Sequence, residues 1–111
     1  MSNKDIVICQ TADGKGPFTQ WRRGLKDKTT IARIDRRLDQ FARGHNGDFR
    51  PVGEGVFESR VFFGPGYRID FAEDGDTVVL LHGGDKSSQK QDIKRAQAYC
   101  QDYLSDTGRR E

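Results

Sequence analysis

The chain has 111 residues, 33% of them hydrophobic and 32% charged, with a formal net charge of +2. That length gives one domain, residues 1–111, with room for one modest core, and so low an apolar fraction predicts a thin one: a sheet backed by helices on one side, its other face polar. No apolar run approaches the ~18 residues that cross a bilayer, MSNKDIVICQ lacks the apolar core of a signal peptide, and Cys9 and Cys100 are too few and too far apart for a zinc site or a disulfide framework, so a cytoplasmic protein with reduced thiols is expected.

Residues 5–11 are predicted as the first strand, since Ile6, Val7 and Ile8 favour extended backbone. ADGKGP breaks it. Pro17 suits the first turn of a short helix, where no N–H is needed. Phe18, Trp21 and Leu25 follow at i, i+3 and i+7 and give that helix an apolar side. A second helix is predicted over 30–43, with Ile31, Ile34, Leu38 and Phe41 as its buried stripe and Gly44 as its stop. Arg22, Arg23, Lys26, Lys28, Arg33, Arg36, Arg37, Arg43 and Arg50 make this half basic. Such clustering suits phosphate or an acidic protein, and equally a solvated helix face.

From Phe49 the period changes to two. Strands are predicted over 56–63, 66–72 and 77–82, joined by the turns GPG and EDGD. Short turns make these strands antiparallel neighbours. A closing helix is predicted over 89–104, with Ile93, Ala96, Cys100 and Tyr103 inward, and the tail SDTGRRE is expected to fray.

The hairpin fixes which side chains share a face. A loop of Gly64, Pro65 and Gly66, with Gly66 at positive φ, sets Phe63 against Tyr67, Val61 against Ile69 and Ser59 against Phe71. Phe57, Val61, Phe63, Tyr67, Ile69 and Phe71 then make an apolar face. Glu58, Arg60, Phe62, Arg68 and Asp70 take the other, with Arg60 opposite Asp70 and Arg68 opposite Phe62. A one-residue slip would mix the two sets. In the third strand Val78, Val79, Leu80 and Leu81 are consecutive, as in a strand covered on both sides. His82 lies at its exit, Gly83 and Gly84 are expected to turn the chain sharply, and Lys86 follows.

Arg60, Arg68, Lys86 and His82 are thereby predicted around a shallow concavity on the polar face, a site for phosphate with a proton carrier beside it. Phe62 could stack a base there or pack beneath a partner. Structural readings stand beside these. Arg60 with Asp70 makes a cross-strand ion pair, Asp85 and Lys86 open the last helix, and His82 ends a strand.

Three segments carry a resemblance: GPFTQWRRGLKD, RGHNGDFRPVGEGVFESRVFFGPGYRIDF and VVLLHGGDKSSQKQDIKRAQ. With the blocks GDxxxVGxGVxExR, GPGYR and GGDKxxQxxDI in fixed order, the chain resembles the RelE/ParE superfamily of bacterial toxins from about residue 10 to 104. The likeness is to its HigB-like branch of addiction-module killer proteins. It implies an α+β, RelE-like fold: a twisted antiparallel sheet of about four strands with an N-terminal helical hairpin and a C-terminal helix.

The resemblance also implies the toxin of a type II toxin–antitoxin module, without cofactor or metal. Such a toxin arrests growth as a ribosome-dependent mRNA endoribonuclease, an mRNA interferase that inhibits translation. Its partners would be mRNA, the ribosome and a cognate helix-turn-helix antitoxin, with operator DNA reached only through that antitoxin and no membrane. Arg60 and Arg68 occupy the family's phosphate-holding strand positions, and Lys86 falls near a third. Ser59 and Asp70 depart from the usual pattern, and the C-terminal tyrosine or histidine of some ribonuclease members has no counterpart in SDTGRRE. Arg60, Arg68, Lys86 and His82 are thus the expected catalytic residues, and Arg60, Phe62, Arg68 and Lys86 the expected RNA contacts. His82 enters on its own chemistry rather than on the resemblance. A ParE-like inhibitor of DNA gyrase without nuclease chemistry, and an inactive toxin kept for antitoxin binding and operon regulation, stay open alternatives.

Overall fold

A computed structural model describes residues 3–11, 14 and 16–109 of the chain, with side chains described to residue 105. Along these residues run β1 (Asp5–Ile8), α1 (Pro17–Gly24), α2 (Lys28–Ala42), β2 (Asp48–Gly53), β3 (Val56–Val61), β4 (Tyr67–Asp74), β5 (Thr77–Asp85), a 3-10 turn (Lys86–Ser88) and α3 (Gln89–Arg109). The predicted break at ADGKGP is described only at Gly14, Gly16 and Pro17, and the expected fraying of SDTGRRE falls mostly on side chains outside the described residues.

The strands form one five-stranded sheet in the order β1-β5-β4-β3-β2. β1 runs parallel to β5, and the other neighbours are antiparallel. This corrects the expected RelE-like fold of about four antiparallel strands opened by a helical hairpin. The described chain starts with a strand, the sheet is mixed, and it gains β2. Pro51 lies within β2 and the pairing shifts between Pro51 and Gly53. Proline lacks a ladder donor, so β2 fits only at a sheet edge.

Local chemistry accounts for the helices. Pro17 occupies the first turn of α1. Asp27 caps α2, accepting from the Thr30 backbone N–H at 2.9 Å and from its hydroxyl at 2.8 Å. Gly44, at φ 88°, ends it.

Helices cover both faces of the sheet, which corrects the expected one-sided core. On one face Phe18 of α1 and Ile34 and Phe41 of α2 pack against Val61, Ile69, Phe71, Val78 and Leu80. On the other, Ala96 and Cys100 of α3 pack against Cys9, Val56, Ala72, Val79 and Leu81. The consecutive apolar run of β5 is thus shared out, Val78 and Leu80 to one core and Val79 and Leu81 to the other. Full burial of each such side chain contributes roughly 1.5–3 kcal/mol. Cys9 and Cys100 are buried in the second core. No helix among the described residues is long and apolar enough to cross a membrane.

The β3–β4 register differs from the predicted one by two residues. Val61 pairs with Tyr67, Arg60 with Arg68, and Glu58 with Asp70. The connection is residues 62–66, in which Gly64 and Gly66 take φ 58° and 87°. An even shift keeps the side chains that remain in the strands on their predicted faces but exchanges the charge partners, and it leaves Phe62 and Phe63 in the connection. Gly83 and Gly84 do not turn the chain. They are extended residues of β5, paired with Ile69 and Arg68. A Cβ on Gly83 would overlap the Trp21 ring, and one on Gly84 would overlap the Asp92 carboxylate. The glycine pair therefore makes room on both faces, for an aromatic ring on one and a buried ion pair on the other.

Candidate functional site

Where β3 turns into β4 and β5 runs into α3, a cleft of about 580 Å³ opens. Arg50, Arg60, Phe62, Tyr67, Arg68, Lys86 and Gln89 are among its lining residues. Alternation sends Arg60 of β3 and Arg68 of β4 to the same side as cross-strand partners. Arg50 projects from β2 beside them as the partner of Glu58. Lys86 opens the 3-10 turn and is exposed. Phe62 is 72% exposed, and the Arg60 guanidinium lies 5.6 Å from its ring centroid.

Arg60 is held from two directions. Its Nη2 lies 3.3 Å from Asp48 Oδ2. Its backbone carbonyl accepts from Arg37 Nη1 at 2.7 Å, and the same nitrogen donates to Ser59 Oγ at 2.7 Å. The guanidinium of Arg37 fills the space next to Gly47, where a Cβ would overlap it. Thus α2 fixes the strand that carries Arg60.

Behind the cleft lies a buried charged network. Arg68 Nη2 donates to Asp92 Oδ2 at 3.0 Å and to the Asp85 carbonyl at 2.7 Å. Its Nη1 lies 3.4 Å from Asp70 Oδ2, and its Nε lies 3.8 Å from Glu58 Oε2. Glu58, Asp70 and Asp92 are all buried. Ser88 Oγ donates to Asp92 Oδ2 at 2.5 Å, and Gln89 Nε2 donates to Glu58 Oε2 at 2.9 Å. Desolvation, together with the neighbouring Glu58 and Asp92 charges, outweighs the opposing pull of Arg68 and raises the Asp70 carboxyl to about 7. Asp70 Oδ1 has no hydrogen-bond partner among the described residues. Three carboxylates thus surround one guanidinium.

Four of the residues predicted for the site, Arg60, Phe62, Arg68 and Lys86, line the one cleft. Arg68 stands apart from the other three because its side chain is only 4% exposed and sits beneath α3. The predicted pairing of Arg60 with Asp70 does not occur; Asp48 takes that place. His82 is not on the cleft lining. Its ring stacks on Tyr99, with centroids 6.2 Å apart, and its Nε2 lies 3.8 Å from Asp92 Oδ1. Nδ1 is occupied locally, 2.6 Å from the Gly83 carbonyl. Whatever His82 does for the cleft passes through Asp92.

Asp92 and Gln89 are the members that sequence reasoning missed, whereas strand alternation places Glu58 on the polar face and Arg50 counts there only as one charge of the basic half. For Asp92 a signal was present. It precedes Ala96 and Cys100 at spacings of four on the inward stripe of α3, and an acid on such a stripe asks for a buried cation. For Gln89 no signal of that kind exists.

The chain belongs to one family with an uncharacterized protein of Haemophilus influenzae, to which it is 40% identical over 86 residues, 77% of this chain and 87% of that one. No family model matches the chain, and no solved structure matches it.

Proposed function

We propose that the chain is the toxin of a bacterial type II toxin–antitoxin module, a HigB-like member of the RelE/ParE superfamily that binds mRNA on the ribosome and cuts it. The observation that supports this best is the meeting of Arg60, Phe62 and Lys86 with Arg68 on one cleft. An exposed aromatic ring beside fixed cations suits a single strand, with a base on the ring and phosphates on the cations. In the cutting step the 2′-hydroxyl gives its proton to water and attacks the adjacent phosphorus, closing a 2′,3′-cyclic phosphate as the bond to the 5′-oxygen breaks, and that oxygen takes a proton from water. Arg60 and Lys86 stabilise the charge that gathers on the phosphoryl oxygens. Arg68 supplies field from behind, since its hydrogen bonds go to the protein. A helix-turn-helix antitoxin is the expected neutralising partner and the route to operator DNA.

Induced expression with transcript mapping, followed by ribosome-dependent cleavage in vitro, tests this. Replacing both Arg60 and Lys86 by alanine should slow cleavage by roughly 100-fold or more and relieve growth arrest without changing the melting temperature. Undiminished cleavage by that variant would end the assignment.

A second reading has its own observation. Arg23 and Arg36 are exposed on α1 and α2 and form no ion pair among the described residues. They could dock a protein target such as gyrase. Filamentation with DNA-damage signalling and intact transcripts would favour that reading. Absence of any growth defect would favour an inactive toxin kept for its antitoxin complex.

A further inference from the structure

Arg50 is more than one charge of a basic half. It is the cross-strand partner of Glu58, and its Nε lies 3.2 Å from Glu58 Oε1. Glu58 is fully buried, whereas the Arg50 side chain is 52% exposed and lines the cleft. The second oxygen of Glu58 accepts from Gln89 Nε2 at 2.9 Å and lies 3.8 Å from Arg68 Nε. An exposed arginine paired with an exposed acid is mobile and weakly held. Here the acid is immobile, set in the middle of β3 and clamped by the first residue of α3. Only Nε of Arg50 is engaged, and its Nη nitrogens make no hydrogen bond among the described residues. A planar guanidinium fixed along one edge presents the other to a two-oxygen acceptor. Arg50 and Arg60 are diagonal neighbours across β2 and β3, a separation of about 7–8 Å, comparable to the step between adjacent phosphates of an extended strand.

We infer that Arg50 is a further phosphate-binding residue of the cleft, aimed at the backbone of a bound single strand by Glu58 and Gln89 acting as positioning residues. This rests on the RNA-binding reading of the cleft. Cleft assembly is thereby tied to the seating of α3, since Gln89 is one of the groups that hold the Glu58 carboxylate.

The experiment is binding of a short fluorescent uridine oligonucleotide to the full chain by anisotropy, across a series of KCl concentrations. Arg50→Ala should weaken binding about tenfold and flatten the plot of log K against log salt by about 0.7, one phosphate contact on a single strand. Arg50→Lys should restore the slope and only part of the affinity. Gln89→Ala should weaken binding a few-fold with the slope unchanged, and should add nothing in the Arg50→Ala background. An unchanged affinity and slope in Arg50→Ala, beside a clear loss in Arg60→Ala, would remove Arg50 from the contact surface. A Gln89→Ala effect that persists without Arg50 would remove the positioning role. A wild-type chain that binds no oligonucleotide at low salt would instead strike the RNA reading itself.

Discussion

Arg68 and Asp92 form a buried ion pair, 3.0 Å between Nη2 and Oδ2, with side chains 4% and 3% exposed, that fastens β4 to α3. Both charges have left water, so each depends on the other and on the surrounding network.

Arg68→Ala should therefore cost about 3–5 kcal/mol of stability, the penalty of leaving buried carboxylates without their cation. Arg68→Met, matched in length and apolar, in an Asp92→Leu background should cost less, since one of the three buried carboxylates goes with the cation. Urea denaturation of the single and double variants measures both. Equal stability of Arg68→Ala and wild type would show that the pair carries no structural load. Loss of cleavage in Arg68→Ala alone would not separate chemistry from folding, which is why the cleavage test falls on Arg60 and Lys86.

The Asp70 carboxyl gives a pH dependence with a definite sign. Its folded pKa is raised to about 7 from an ordinary 3.8. Between those values the folded chain holds a proton that the unfolded chain has released. Stability should then fall as pH rises through that window and level off above it, by at most about 4 kcal/mol. Asp27 and Asp85, whose carboxyls are lowered by hydrogen bonds from Thr30 and Ser87, act in the opposite sense, and only at more acid pH. Asp70→Asn should flatten the profile and raise stability above about pH 8. Chemical denaturation at stepped pH would contradict this if wild type gained stability from about pH 5 to 7.

Gly83→Ala and Gly84→Ala should each destabilise by about 1–3 kcal/mol, because the added methyl meets the Trp21 ring in one case and the Asp92 carboxylate in the other. Calorimetry should show a drop of roughly 5 °C per kcal/mol. Gly24 serves as the control, with open space around its added methyl and no positive φ. Gly24→Ala should raise stability by about 0.5 kcal/mol.

Phe62→Ala should leave stability within about 0.5 kcal/mol, since the ring is mostly in solvent. Binding of single-stranded RNA should weaken by about 1–3 kcal/mol if a base stacks there. Unaltered binding would take Phe62 off the RNA surface.

Strand faces were legible in the sequence because alternation survives an even error in register. Val61, Ile69 and Phe71 fall on the core side and Arg60 and Arg68 on the other, even though the loop is residues 62–66 rather than Gly64 to Gly66. Charge partners were not legible. Pairing Arg60 with Asp70 looks right across two strands taken alone, but Asp48 from β2 and Asp92 from α3 supply the real counter-charges. A third element can neutralise a like-charge pair, and no two-strand argument contains it. β2 was hidden by Pro51 and by its exposure, since an edge strand need not alternate. The second core was hidden by α3, whose inward stripe begins at Asp92 rather than Ile93. Arg60, Arg68, Glu58 and Asp70 could be placed on one face from strand parity, whereas the counter-charges that come from β2 and α3, Asp48 and Asp92, could not.

β1 pairs with β5, so an early segment of the chain completes its sheet only against a late one. Pairing between segments this distant in sequence carries a loop-closure cost and slows folding. A nascent chain stalled before α3 offers Arg68 no Asp92 and Glu58 no Gln89. A product cut short there would keep Asp48 and Arg37 beside Arg60 but would leave Arg68 and Glu58 without the partners that α3 supplies.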